Sequence, residues 1–374
     1  MSMSASVNAT DPRPPLIGMD HSALLRLCEQ AGVSPVHADT LRAHIFRHGN
    51  QNIREIRDLP QHFYDFVETH SSRLTPQLRA RQQSTDGTCK LLLGMADGRE
   101  VETVLIPGNG RLTQCISTQV GCAVGCTFCL TATGGLTRNL SAAEMVSQIH
   151  AAQLYASQRP RNLVLMGMGE PLHNYDEVAR FILLATDPQG MAFSPRRVTV
   201  STAGHVPGIA RMIEDDLPCN LALSLNASND ATRSRIMPIN RRWPIAEVLD
   251  WTARFASGRK KRILIEYVLL AGINDSDEDA QRLAKLLADI PCTINLLPFN
   301  AFTASEFTRP DDDRVSAFRN ILVRAGRVAV VRESRGRDIS AACGQLRTEM
   351  RNTRRTAEPV SSMHTTASPQ VSNT

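Results

Sequence analysis

Three closely spaced cysteines are the strongest chemical signal in the sequence. They form a C-x3-C-x2-C pattern made of Cys122, Cys126 and Cys129. Thiols this close together cannot all pair as disulfides, but they can converge on one metal centre. A structural zinc site would need a fourth Cys or His at short spacing, and the next histidine downstream is His150. On a cluster of four irons, three cysteine ligands would leave one iron without a protein ligand.

The open iron favours one particular ligand. S-adenosylmethionine (SAM) can chelate it through its amino and carboxylate groups, and an electron from the cluster can then release a 5′-deoxyadenosyl radical. With this motif the chain resembles the radical SAM superfamily, which implies a [4Fe-4S] cluster and SAM as cofactors. Zinc binding and an accidental group of thiols remain alternatives.

Small polar residues follow several predicted strands and are candidates for binding SAM. The run Gly167–Pro171 offers glycines, which let a ligand approach the backbone, and the carboxylate of Glu170 for an ammonium group. Polar residues after the other strands could bond the ribose and carboxylate of SAM, although Ser and Asn are also common turn residues. The candidate SAM-binding residues are Gly169, Glu170, Ser201, Ser224, Leu225, Asn226 and Asn300.

Five motifs together narrow the resemblance to one family. They are CISTQVGCAVGCTFC, MGMGEPL, VTVSTAG, INLLPFN and RGRDISAACGQL. From about residue 20 to residue 346 the chain resembles the RlmN family, radical SAM enzymes that methylate C2 of adenine in RNA. The resemblance implies two substrates: an adenine of the peptidyl transferase centre in 23S rRNA and the adenine beside the tRNA anticodon. It also implies an external electron donor such as flavodoxin.

The resemblance assigns roles to two further cysteines and a carboxylate. Because C2 of adenine is electron-poor, it cannot attack the methyl group of SAM directly. By resemblance, Cys343 takes a methyl group from one SAM, and a second SAM yields the radical that activates this methyl group for addition to C2. Glu102 then removes the C2 proton. Cys115 attacks the sulfur of Cys343 and leaves a transient disulfide that must be reduced.

The residues around Glu102 leave its role open without the resemblance. Alternation along the predicted strand places Glu102 on an exposed face, where a solvated carboxylate is the usual interpretation. The match to the family pattern VETVxIP makes Glu102, and not its neighbour Glu100, the candidate for the base. Glu102 also favours methylation at C2 over the sister activity at C8 of adenine, because the C8 enzymes lack a carboxylate there.

Length and composition agree with an ordinary globular enzyme. The chain has 374 residues, 42% of them hydrophobic and 21% charged, which predicts about two to three domains. No apolar run approaches the roughly 20 residues of a membrane span, and the N-terminus lacks the features of a secretory signal. We therefore expect a cytoplasmic protein without a membrane partner. The net charge of +5 is compatible with an RNA partner but is weak evidence for one.

The pattern of apolar residues predicts an α/β fold. Six β-rich apolar runs between residues 112 and 297 alternate with helical segments, which indicates a parallel sheet and a partial (β/α)6 barrel. The resemblance implies that this is a radical SAM barrel. We expect a monomer. The predicted domains are a disordered lead (1–17), a small helical RNA-engaging domain (18–80), a β-hairpin linker (81–110), the barrel (111–346) and a flexible basic and polar tail (347–374).

Basic runs are candidates for contacts with RNA phosphates, although each could equally be a solvated face. They are Arg196-Arg197, Arg241-Arg242, the run 259–262 and the residues from Arg332 to Arg337.

Asn226 departs from the family pattern, in which histidine is common. Two further functions stay open: a different radical SAM enzyme, which would not need Cys115 and Cys343 together, and a non-catalytic protein that binds zinc and RNA.

Overall fold

The computed structural model describes residues 11–108, 110–155, 159–257, 263–302 and 305–346. Among these residues, ten strands form one sheet in the order β1-β2-β3-β4-β7-β8-β9-β10-β11-β12, and β5 pairs with β6 in a second sheet. The strands are β1 (Gln77–Gln83), β2 (Cys89–Gly94), β3 (Glu100–Gly108), β4 (Arg111–Cys115), β5 (Gln119–Gly121), β6 (Leu136–Asn139), β7 (Asn162–Leu165), β8 (Val198–Thr202), β9 (Asn220–Ser224), β10 (Ile263–Leu269), β11 (Cys292–Pro298) and β12 (Ala329–Val331).

The parallel half of the large sheet confirms the predicted partial barrel. Strands β4 and β7 to β12 all run parallel, and β1 and β12 form the two edges of the open sheet. The six predicted apolar runs become β4, β7, β8, β9, β10 and β11, and β12 adds a seventh parallel strand. Since parallel strands end on the same side of a sheet, their carboxyl ends share one rim.

Helices connect the parallel strands and cover the outside of the sheet. Side-chain caps begin several of them; Asn229, Ser276 and Asp311 each accept a hydrogen bond from a backbone N–H three residues later. The helices are α1 (His21–Gln30), α2 (Val36–Arg42), α3 (Gln61–His70), α4 (Ala142–Tyr155), α5 (Tyr175–Thr186), α6 (Val206–Glu214), α7 (Asp230–Ile236), α8 (Ile245–Ser257), α9 (Asp277–Leu286) and α10 (Asp312–Arg324). A π-helical turn covers Ala43–Arg47, and short 3-10 turns cover Leu16–Gly18, Ile53–Glu55, Leu130–Gly134, Pro171–Asn174, Pro195–Arg197, Pro238–Arg241 and Arg337–Ile339.

The start of the chain differs from the prediction. The interpretation of residues 1–17 as a disordered lead is wrong for residues 11–17, whereas residues 1–10 lie outside the described part. Leu16 and Ile17 are buried, and the backbone N–H of Leu16 donates to the carbonyl of Ser72 at 2.9 Å. Burial of two large apolar side chains is favourable enough to order the short segment that carries them.

The predicted hairpin is present and forms part of the large sheet. Strands β2 and β3 pair antiparallel around the turn that contains Asp97 and Gly98. Strand β1 pairs with the other side of β2, and β3 pairs with β4, with Val104 opposite Cys115. The three antiparallel strands therefore extend the barrel sheet itself.

The tail at 347–374 and the basic run at 259–262 lie outside the described residues. Within the described ranges, no helix has the length and apolar character needed to cross a bilayer.

Candidate active site

A deep cavity opens at the carboxyl ends of the parallel strands. It contains about 1010 Å³ of empty space, including its open mouth, which is ample for a small ligand. Ten residues selected from the sequence line it: Cys122, Cys126, Cys129, Gly169, Glu170, Ser201, Ser224, Asn226, Asn300 and Cys343. The fold thus brings together side chains that are more than 200 residues apart in the chain.

The three-cysteine motif lies on the loop between β5 and β6. Gly121 begins this loop at a φ of +81°, and a Cβ there would lie 1.9 Å from the carbonyl oxygen of Gly135, so only glycine fits. The backbone N–H of Cys122 donates to the same oxygen at 2.8 Å. The backbone N–H of Cys129 donates to the carbonyl of Cys126 at 3.1 Å, which closes a tight turn within the motif.

The environment of these thiols disfavours three free thiolates. Burial, together with the negative charges of Glu170 and the neighbouring cysteines, raises the pKa of Cys122 to about 12 and the pKa of Cys126 well above its ordinary value. The apolar side chains of Val124 and Phe128 pack beside them. In the described part of the chain, no three Cys, His, Asp or Glu side chains gather as they would around a single metal ion.

Glu170 is fixed in the cavity wall. It is 3% exposed; one carboxylate oxygen accepts from the backbone N–H of Leu172 at 3.1 Å and the other from that of Ala203 at 2.8 Å. Burial raises the pKa of this carboxyl. The preceding Gly169 has a φ of +107°, and a Cβ there would come within 2.7 Å of the Gln119 side chain. Glycine is therefore required for the close approach of this loop to β5.

Asn300 presents an unused acceptor to the cavity. Its Nδ2 donates to Ser334 Oγ at 2.7 Å, but its Oδ1 is buried and has no hydrogen-bond partner in the described structure. A buried acceptor without a partner costs about 1–3 kcal/mol, so a ligand that donates an N–H or O–H there would be favoured. The hydroxyls of Ser201 and Ser224, which also line the cavity, lie 3.5 Å apart. This wall fits a ligand with amino and hydroxyl donors.

Cys343 and Cys115 form a second pair of thiols. Cys343 is exposed and lines the cavity, whereas Cys115 is buried at the end of β4, and both are free thiols. Desolvation and the charge of Glu266 raise the pKa of Cys343 to about 11. Burial raises the pKa of Cys115, and the charge of Cys343 raises it further.

The residues 336–346, which we call the Cys343 segment, are attached at both ends. On the cluster side, Gly344 and Leu346 accept hydrogen bonds through their carbonyls from the backbone N–H of Leu130 at 2.7 Å and the hydroxyl of Thr131 at 2.6 Å. On the other side, Asp338 accepts from the Ser84 hydroxyl at 2.6 Å. The segment therefore bridges the cysteine loop and the turn between β1 and β2.

Glu102 is buried, so the prediction of an exposed face is wrong. It is 0% exposed on β3, and its Oε1 lies 3.0 Å from the Nζ of Lys90. Both faces of β3 are covered, because Thr103 faces α4 through Gln114 while the Cys343 segment lies on the side of Lys90. Cys115 pairs with Val104, two residues beyond Glu102, and therefore shares a sheet face with it.

Comparisons with known proteins agree with this geometry. Residues 116–284 match the model of the Radical SAM superfamily. The chain is 45% identical over 349 residues to the dual-specificity RNA methyltransferase RlmN of Anaeromyxobacter sp. (strain Fw109-5), with 91% of this chain and 92% of that protein covered. The chain belongs to the RlmN family.

Two further relatives support this membership. The RlmN protein of Geobacter sulfurreducens is 48% identical over 305 residues, which cover 81% of this chain and 83% of that protein. The crystal structure of a radical SAM methyltransferase from Sphaerobacter thermophilus matches with a TM-score of 0.85 and 40% identity, and covers 89% of this chain and 99% of that one. The radical SAM fold and the resemblance to the RlmN family are confirmed. This membership implies a [4Fe-4S] cluster and SAM as cofactors.

Two predicted SAM-binding residues, Leu225 and Asn226, differ from the others in how they are placed relative to the cavity. Leu225 is fully buried in the core and does not line the cavity; its backbone N–H and carbonyl bond to the Glu266 carbonyl and to Arg233. Asn226 lines the cavity at a φ of +58°, which Asn tolerates better than most residues. Its Oδ1 already accepts from the backbone N–H of Val268 at 2.8 Å.

Two residues of the site were missed in the sequence. Glu266 lines the cavity and accepts a hydrogen bond from Asn295 at 2.8 Å; a glutamate inside the apolar run ILIEYVLL was the available signal. Arg233 is 0% exposed and donates to the carbonyls of Ala203, Ser224 and Leu225. It thereby ties the loops after β8 and β9 together, and nothing in the pattern of α7 distinguishes it.

We expect Arg233→Met to lower the free energy of unfolding by about 3 kcal/mol, because it leaves several buried carbonyls without a donor. Chemical denaturation of the purified variant measures this change. Arg254→Met is the matched control, since Arg254 is exposed on α8, where it pairs with Asp250 one turn earlier and lies over the ring of Trp251. Equal stability of the two variants would contradict the role of Arg233.

The basic runs lie in different parts of the RlmN-family fold. Arg332 lies near the cavity, where its charge lowers the pKa of both Glu266 and Cys343. Arg196 and Arg197 precede β8 and therefore lie at the opposite end of the strands from the cavity. Arg242 lies over the ring of Trp243 at 4.9 Å. Arg337 belongs to the Cys343 segment and lines a neighbouring pocket together with Asn300, so Arg332 and Arg337 are the described basic candidates placed beside the site.

Proposed function

We propose that this chain is a radical SAM methyltransferase that methylates C2 of adenine in RNA. The observation that carries the proposal is the arrangement of two thiols and one carboxylate. Cys343 lines the cavity together with the cysteine loop, Glu102 is buried on the same sheet face as Cys115, and the Cys343 segment contacts that face through Lys90. This is the set of groups needed to carry a methyl group, remove a proton and release a product from sulfur. The names of the relatives support RNA as the substrate.

The cavity offers ligands for both implied cofactors. Cys122, Cys126 and Cys129 would hold the [4Fe-4S] cluster, because their crowded thiolates need a cationic partner. Gly169, Glu170, Ser201, Ser224 and Asn300 would hold SAM. When bound, the cluster and SAM supply an electron, a 5′-deoxyadenosyl radical and a methyl group, with two SAM molecules consumed per turnover.

Cys343 is proposed as the methyl carrier and Cys115 as the residue that releases the product. Exposure to the cavity allows Cys343 to receive a methyl group, and the charge of Arg332 partly offsets the desolvation and the charge of Glu266 that raise its pKa. Cys115 is buried, so it is protected from other reactions until the sulfur of Cys343 is available. Attack of Cys115 on that sulfur forms a disulfide and breaks the bond between the sulfur and the methylene carbon on C2. That carbon takes up a proton to become the methyl group of the free RNA, and a reductant must then open the disulfide.

Glu102 is proposed as the base that takes the C2 proton. Glu102 is buried beside Lys90 and is therefore kept out of bulk water. A carboxylate is a more effective proton acceptor in such a site than in bulk water. The target adenine must leave its stack to reach this site, as nucleotides do in other base-modifying enzymes. A carboxylate at this position favours C2 over C8 as the methylated carbon.

The proposal also covers the RNA substrates, the electron donor, the oligomeric state and the compartment of the protein. We propose both 23S rRNA and tRNA as substrates, an external electron donor such as flavodoxin, and a monomer in the cytoplasm. Reduced thiols are the rule in that compartment, which suits an enzyme with three cluster ligands and a disulfide that must be reopened.

The proposal is tested by reconstituting the protein with iron and sulfide without oxygen and incubating it with SAM, a reductant and unmodified rRNA and tRNA fragments. Mass analysis of the nucleosides should find 2-methyladenosine. Methylation at C8 alone would favour the sister activity. A colourless protein that holds zinc and methylates nothing would favour the binding protein, and full activity of Cys343→Ala would favour a different radical SAM enzyme.

We expect Glu102→Gln to slow product formation by about 10²- to 10⁴-fold, the usual contribution of a general base. Methylation of Cys343 should persist, so RNA should accumulate as a covalent adduct on the protein. Denaturing gels and intact-protein mass spectra measure both species. Glu100→Gln is the matched control, because Glu100 lies two residues away and is partly exposed near Arg79. Similar rates for the two variants would overturn the assignment of the base.

A further inference from the structure

We infer that Lys90 is a positioning residue that keeps the carboxylate of Glu102 charged and fixed relative to the Cys343 segment. The inference rests on the proposed role of Glu102 as the base. Lys90 was not selected in the sequence, where it lies on β2 between Cys89 and three leucines. Its side chain is 6% exposed, which is unusual for a lysine.

One ammonium group contacts both parts of the proposed machinery. The Nζ of Lys90 lies 3.0 Å from Oε1 of Glu102 and donates to the carbonyl of Ser340 at 3.1 Å. Ser340 precedes Cys343 by three residues and has a left-handed φ of +50°, so the backbone of the segment is strained where Lys90 holds it. Lys90 therefore links the proposed base to the chain that carries the methyl group.

The register of the sheet makes this contact possible. Lys90 pairs with Val104 and Leu92 pairs with Glu102, so Lys90 and Glu102 are diagonal neighbours on one face of β2 and β3. This is also the face of Cys115, which pairs with Val104 from the other side. A fixed strand register sets these distances more firmly than a loop would.

Burial gives the ion pair its chemical purpose. A carboxylate without a cation in such a place would take up a proton and could not act as a base. The ammonium of Lys90 opposes this by stabilising the charged form of Glu102. Because the same ammonium also holds Ser340, the base and the methyl carrier keep a constant separation when the proton is removed.

The test follows single steps of the reaction in the reconstituted full-length enzyme. For Lys90→Met we expect normal methylation of Cys343 and formation of the protein–RNA adduct, but release of the RNA slowed at least tenfold. RNA deuterated at C2 of the target adenine should show a larger isotope effect on release than in the unaltered enzyme, because proton removal becomes limiting. Lys90→Arg, which keeps the charge, should recover part of the rate.

Release at the unaltered rate, or slow release without an increased isotope effect, would overturn the role of Lys90. Lys285→Met is the control, because Lys285 is exposed on α9. If Lys90→Met does not fold, the double variant Lys90→Met with Glu102→Gln removes both charges and is compared with Glu102→Gln alone. Equal release rates support the inference, and a further tenfold loss overturns it.

The unaltered enzyme in the same assay separates this inference from the proposed function. If it forms no 2-methyladenosine, the proposed function has failed. If it forms the product while Lys90→Met releases RNA normally, only the role of Lys90 has failed.

Discussion

Replacing Cys115 by alanine should leave the RNA covalently attached to the protein. The first half of the proposed reaction needs only Cys343, Glu102 and the cofactors, so methyl transfer to sulfur and bond formation to C2 should proceed. Release needs a second sulfur that attacks Cys343, and Cys115 is the proposed thiol, because it lies on the sheet face that the Cys343 segment contacts through Lys90. We expect nearly all reacted RNA to migrate with the protein on a denaturing gel, and free methylated RNA to be almost absent.

The control for this prediction is Cys28→Ala. Cys28 is also a buried free thiol, but it lies on α1 in the N-terminal helical region. Loss of a buried sulfur should cost both variants a similar, small amount of stability, so only the variant at Cys115 should trap RNA. Free RNA product formed by Cys115→Ala at the rate of the unaltered enzyme would contradict its role in release.

Cys126→Ala should abolish binding of the iron–sulfur cluster. The three cysteines would together supply every protein ligand of the cluster, and removal of one leaves two irons without a protein ligand. Cys126 also lies between its two partners, and both neighbouring thiols raise its pKa. We expect iron and sulfide contents near zero after anaerobic reconstitution, with loss of the brown colour.

The matched control for the cluster is Cys219→Ala, since Cys219 is a fully buried cysteine that precedes β9 and lies in the hydrophobic core. It should bind iron and sulfide as the unaltered protein does. Iron content in Cys126→Ala equal to that of this control would refute the assignment of Cys126 as a ligand.

The parts of the site that lie close together in the chain were predictable. The cysteine motif follows the first parallel strand, and Glu170 follows the next. Because the carboxyl ends of parallel strands meet at one rim, these residues were expected to lie together. Apolar periodicity alone was enough to place these strands, since a strand covered on both faces must be apolar almost throughout. Family motifs added Cys115 and Cys343.

The parts that depend on distant contacts were not predictable. The alternation in VETV gave Glu102 an exposed face, but the Cys343 segment, more than 200 residues later, covers it. The only feature of Lys90 in the sequence is that it is a charged residue in an apolar run. Its proposed role depends on its contacts with Glu102 and Ser340, which the sequence does not show. Leu225 stays a prediction: its neighbours line the cavity, but its own side chain is buried in the core, which the sequence did not indicate. Tertiary burial, rather than local pattern, decided each case.

The most direct single measurement uses SAM with a fully deuterated methyl group and the unaltered enzyme with unmodified RNA. One hydrogen must leave the methyl group on Cys343 before its carbon can bond to C2. We therefore expect 2-methyladenosine whose methyl group keeps two of its three deuterium atoms. A methyl group that keeps all three would mean direct transfer from SAM and would contradict the role of Cys343, as would methylation at any other position of the base.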